Sequence, residues 1–146
     1  MSHLRTATVI AAAVALSGCG AGFARLGTYG MDLADANTSV DGRRYSLYVH
    51  PRDKTVMAQR GMGAVIGQSA IEGFTLGAVS MQEPMPIWRS AMNWLLEPAG
   101  CTILSIYELE RTSFEAEYQC PEGVDLRRLV MENRATLRDG QPLPRQ

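Results

Sequence analysis

Lysine is almost missing from this chain: Lys54 stands alone among fourteen basic residues, and the other thirteen are Arg. That imbalance reads as codon bias in a GC-rich genome, not as an arginine-specific site. An excess of positive charge is missing too. Fifteen acidic groups leave a net charge of −1, which argues against nucleic acid as a partner, because phosphate backbones are bound by a basic excess. No apolar run reaches the ~20 residues needed to cross a bilayer as a helix. Histidine occurs twice and cysteine three times. There is no CxxC, HxxxH or GxSxG pattern, so zinc sites, redox dithiols and a nucleophile elbow find no support. At 146 residues with 46% hydrophobic and 20% charged residues, the chain suits one globular domain.

What is present is concentrated at the start. Met1 to Arg5 carries one positive charge, and Thr6 to Leu16 is apolar and rich in Ala. A charged start, a short apolar run and small residues after it describe a secretory signal peptide. The small residues are Leu16-Ser17-Gly18-Cys19, and this run resembles the lipobox of bacterial lipoproteins. The resemblance implies that Cys19 is alkylated by a diacylglycerol, that the leader is cut before it, and that the new amine is acylated, as by palmitate. Gly20, in place of Asp, implies sorting to the outer membrane. Two or three acyl chains at ~0.8 kcal/mol per methylene hold a protein without a membrane-spanning helix. Removing 18 residues from 146 leaves 128, and loss of Arg5 takes the charge from −1 to −2.

With Cys19 lipidated, Cys101 and Cys120 form an even pair, as an oxidising periplasm favours. Thr102 to Leu109 and Thr112 to Gln119 both read as strands. Folding them about Glu110-Arg111 opposes positions whose numbers sum to 221: Leu109 with Thr112, Tyr107 with Phe114, Ser105 with Ala116, Ile103 with Tyr118 and Cys101 with Cys120. That register predicts a Cys101–Cys120 disulfide. It places Glu108, Glu115 and Glu117 on a solvent face, although Leu104 and Ile106 fall there as well.

The remaining elements are coarser. Arg43 to His50 and Thr55 to Arg60 read as a hairpin about Pro51-Arg52-Asp53-Lys54, preceded by an Asp41-Gly42 turn, and a first strand fits at or just before Val40. Residues 62–79 are apolar and Gly-rich, with small-xxx-small spacing, and read as a packed helix or helix–loop, with membrane contact or oligomerisation as alternatives. Pro86 opens a helix bearing Ile87, Trp88, Ala91, Trp94 and Leu95, stopped by Pro98 and Gly100. Trp88 and Trp94 are core residues or, alternatively, a partner-binding surface. Asp125 caps a helix whose outer side bears Arg127, Arg128 and Arg134.

The expected fold is therefore α+β: a small antiparallel sheet of two hairpins with two or three helices packed on one face. The expected organisation is a signal peptide over 1–18, a flexible tether over 19–39, one domain over 40–138 and a disordered tail over 139–146. Neither a catalytic set nor a metal site is expected; Met57, Met62, Met81 and Met85 form only a weak candidate for Cu(I). The covalent lipid on Cys19 takes the place of a cofactor. The functional expectation is a non-catalytic lipoprotein on the periplasmic side of the outer membrane, held by its lipid and acting on a protein partner. An envelope enzyme using Asp or Glu, or a lipoprotein binding a small ligand or metal near Met85, Trp88 and Trp94, stands as the alternative.

Overall fold

The structure is a computed structural model that describes residues 27–30, 33–61, 83–110 and 112–145. The expected leader, Cys19 and the Gly-rich stretch 62–79 lie outside the described residues.

Among the described residues, an open five-stranded antiparallel sheet with helices makes an α+β fold. The strands are β1 (Ala36–Val40), β2 (Arg43–Val49), β3 (Thr55–Arg60), β4 (Thr102–Glu110) and β5 (Ser113–Gln119), in the spatial order β1-β2-β3-β5-β4. The helices are α1 (Met85–Leu96), a 3-10 turn (Glu97–Ala99), α2 (Leu126–Glu132) and α3 (Arg134–Arg138). The first three strands form a meander, the expected hairpin of β2 and β3 preceded by the strand expected at or just before Val40. Asp41 and Gly42 join β1 to β2 with both φ angles positive, 50° and 75°, the backbone that two-residue hairpin turns require.

Packed structure extends beyond residues 40–138 on both sides. β1 begins at Ala36, Tyr29 is buried, and Leu143 belongs to the hydrophobic core. Residues 29–39 are thus not all tether, and 139–146 are not all tail.

Helix α1 follows the spacing of its apolar residues. Pro86 sits in the first turn, where no N–H is needed. Trp88, Ala91, Met92, Leu95 and Leu96 make one buried stripe. Gly100, at φ 73°, ends the following 3-10 turn in a left-handed conformation. Trp88 is only 1% exposed, stacked on Phe114 with centroids 4.6 Å apart and edge-on to Tyr45 at 5.1 Å. It lies at the centre of the core and is not offered to a partner, which corrects that alternative for Trp88. Trp94 is half-buried against the same core. The apolar face of the sheet, Leu47, Val49, Val56, Ala58, Phe114 and Ala116, joins residues of all three helices in one cluster.

The β4–β5 register agrees with the sequence at one end only. Thr102 pairs with Gln119 and Ile103 with Tyr118, and just beyond them Cys101 and Cys120 stand at disulfide distance, Cα–Cα 4.0 Å. A register shift between Ile103 and Ser105 then moves the pairing by one: Ser105 opposes Glu117, Ile106 opposes Ala116, and Tyr107 opposes Glu115. A second shift lies between Glu108 and Glu110. The expected pairs Ser105–Ala116, Tyr107–Phe114 and Leu109–Thr112 are therefore replaced. The physical reason is visible in the side chains. Ile103 and Ile106 both pack against the core, and their odd spacing cannot share a face without an extra residue. Leu104 takes up that irregularity, 62% exposed.

Candidate functional site

Among the described residues three carboxylates are buried: Asp35, Glu83 and Glu115. Buried charge is costly unless it is paired or hydrogen-bonded, so each marks a place where the fold is specifically arranged.

Asp35 sits just before β1. Its Oδ2 accepts from the Val49 backbone N–H at 2.9 Å and from Arg127 Nη1 at 2.8 Å, while Arg134 Nη2 lies 3.3 Å from Oδ1. The same arginines bind neighbouring carbonyls. Arg127 donates to Val49 O at 2.8 Å, and Arg134 to Leu33 O at 2.9 Å. Arg138 Nε donates to Ala34 O at 2.7 Å. Residues 33–35 are thus clamped to α2 and α3. The sequence suggested an outer arginine face on this helix, but only Arg128 lies on one, paired with Glu132 at 3.5 Å. Arg127 and Arg134 turn to Asp35 instead. Arg127 lies in the first turn of α2 and Arg134 opens α3, across the break at Asn133, so no single helical face in the sequence sets them apart from Arg128.

Glu83 precedes α1. Arg43 Nη1 and Arg60 Nε each lie 3.2 Å from its Oε1, and the Tyr45 hydroxyl donates to Oε2. Burial pushes the Tyr45 phenol well above its usual range, and the hydrogen bond to Glu83 and that carboxylate's charge push it further. Glu83 therefore pins the chain entering α1 to β2 and β3.

Glu115 was expected on a solvent face and is 0% exposed. It lies on the sheet face opposite the helices, across from Met57 on β3 and Tyr107 on β4, and accepts from the Tyr107 hydroxyl at 2.7 Å. The β4 bulge turns Tyr107 to that face, opposite Glu115.

Two clefts indent the surface. One, of about 800 Å³, lies around the Asp41-Gly42 end of the first hairpin and has Arg43, Arg44, Arg60 and Arg138 in its walls. The other, of about 340 Å³, is lined by His50, Lys54, Tyr118, Cys120, Asp125 and Arg127. His50 Nδ1 faces the backbone N–H groups of Arg52 and Asp53, at 3.3 and 2.9 Å, and lies 3.2 Å from Asp53 Oδ2. None of the three buried carboxylates lines either cleft, and neither does Met85, Trp88 or Trp94. Among the described residues, no group of three or more His, Cys, Asp or Glu is placed to hold a metal, and no helix is long and apolar enough to cross a membrane.

Neither the disulfide nor the tryptophans meet in one functional centre. Cys101 and Cys120 close the base of the β4–β5 hairpin, and Trp88 packs beneath the sheet. Neither Asp35 nor Glu83 is among the residues that the sequence singled out as site candidates. No family model, curated protein or solved structure matches this chain.

Proposed function

We propose that this protein is a lipoprotein anchored to the outer membrane on its periplasmic side, with a non-catalytic role in the envelope exercised through a protein partner. The observation that carries this reading is Leu16-Ser17-Gly18-Cys19, placed directly after a charged start and an Ala-rich apolar run. The pairing of the other two cysteines supports it, since Cys19 is then the one thiol left for a lipid.

The clamp on residues 33–35 supports it as well. β1 is an edge strand, paired on one side to β2. A chain tethered to a membrane through its N-terminal end pulls on that strand, and the bonds from Arg127, Arg134 and Arg138 resist its peeling. Tyr29 is fixed earlier still: it is buried, its hydroxyl lies 2.9 Å from Thr55 Oγ1, and its ring meets His50 edge-on at 5.0 Å. Ten residues of chain from Cys19 to Tyr29 span at most ~36 Å whatever their conformation, which keeps the domain beside its anchor. In this reading α1, α2 and α3 form one layer on the apolar face of the sheet. The enzyme alternative is weaker, because each buried carboxylate is bound to cations, amides or a phenol.

Intact mass analysis of the protein from its own host tests the proposal. Loss of residues 1–18, added acyl mass and two hydrogens missing from an internal cystine are expected. A Cys19→Ala chain that remains on the envelope with the same processed end would overturn it.

A further inference from the structure

The larger cleft wraps around the end of the first hairpin. Arg43 and Arg44 are consecutive in β2 and point to opposite faces, yet both line it. Across the strands Arg44 pairs with Ser39, and Gly61 donates its N–H to Arg44 O at 3.0 Å, so this corner of the sheet is closely knit.

Arginine dominates its described lining. Arg43 and Arg60 both reach the carboxylate of Glu83. Arg138 directs Nε and Nη2 at neutral carbonyls, those of Ala34 and Leu33. Arg44 is exposed, with neither a hydrogen bond nor an ion pair from its side chain. Asp139 is the one acidic residue in the walls among the described residues. Among the described residues, the walls thus carry four guanidinium groups and one carboxylate, on a chain whose net charge is −1.

We propose that this cleft binds a phosphate oxyanion carried on a hydroxyl-bearing ligand. The planar guanidinium fork matches phosphate oxygens in pairs, and Arg44 is the group held free for that contact. Ser39 and Ser46 line the same walls. Ser46 Oγ donates to Asn37 Oδ1 at 3.1 Å and keeps its lone pairs for a ligand hydroxyl. A volume of about 800 Å³ exceeds a bare phosphate and suits a phosphorylated sugar or a phospholipid head group. An extended polyphosphate backbone is disfavoured by the overall negative charge. The proposal goes beyond the envelope role and does not depend on the fate of Cys19.

The test uses the Cys19→Ala full chain, so that acyl chains do not mask binding. Glucose 6-phosphate and glucose are titrated calorimetrically at low salt. Co-sedimentation is measured with phosphatidylcholine vesicles with and without phosphatidylglycerol. Glucose 6-phosphate is expected to bind and glucose not, with affinity falling as salt rises and falling about fivefold or more in Arg44→Ala. Arg44→Ala should melt like its parent, since the side chain has no partner to lose. Binding confined to phosphatidylglycerol vesicles and lost in Arg44→Ala supports the same oxyanion contact on a lipid head group. No response to either probe, or equal responses with and without Arg44, overturns the proposal.

Discussion

Asp35 and Glu83 look alike in outline, each a buried carboxylate between two arginines, yet they do different things. Around Asp35 the cations also bind backbone carbonyls, and the carboxylate takes a backbone N–H, so the cluster fixes the path of residues 33–35. Around Glu83 the additional partner is a phenol on the core face of β2, and the arginines continue into a cleft. The first arrangement directs its donors inward to the chain itself. The second leaves part of its positive charge facing solvent, with the Arg43 side chain 44% exposed. The same residue types therefore make a fastening in one place and a candidate ligand surface in the other.

The sharpest way to break this comparison is Asp35→Ala. It strands two guanidinium groups and the Val49 N–H, and should cost about 3–4 kcal/mol in denaturant unfolding, with protease sensitivity rising first near residues 33–35. A cost no larger than that of an exposed substitution would show that the clamp holds little. Glu83→Gln keeps the shape and an acceptor for Tyr45 while removing the charge. A smaller loss, about 2 kcal/mol, is expected, together with stronger phosphate binding, because the group that Arg43 and Arg60 both face is then neutral. Unchanged or weaker binding would separate the cleft from this cluster.

Tyr45→Phe should cost about 1–1.5 kcal/mol by removing one hydrogen bond to a charged acceptor. Its pH signature is more telling. The Tyr45 phenol is raised in the folded protein, so its contribution is fully present below the ordinary tyrosine value of about 10. The contribution is lost as pH climbs beyond that value towards the raised folded one. Stability should fall above pH ~10 in the parent and fall less steeply in Tyr45→Phe, measured by urea unfolding across that range. Arg128→Ala is the smallest effect. This exposed i,i+4 pair with Glu132 should change stability by about 0.5 kcal/mol or less, whereas Arg127→Ala one position earlier should exceed 1 kcal/mol. Equal losses at the two positions would erase the distinction between the inward and outward arginines.

Legibility in the sequence followed the range of the interaction. Helix α1 could be read because its start at Pro86, its apolar stripe and its stop at Pro98 and Gly100 are all local. The β4–β5 pairing could be read at Thr102 and Ile103, next to the cysteines, and no further. Leu104 and Ile106 already stood out on a polar face, and the bulge that resolves them also brought Tyr107 opposite Glu115. Asp35 could not be read, since its arginines lie 92 and 99 residues along the chain and no local pattern joins them.

The amino-acid sequence alone determined the α+β class, the cap at Asp125 and the meeting of Cys101 with Cys120. Each of these rests on short-range stereochemistry or on strand alternation over a few residues. Tertiary structure decided which arginines face inward, which carboxylates are buried and where a cleft opens. The reason is that charged side chains are long and tolerant of many backbones, and their partners are chosen only when packing brings distant segments together.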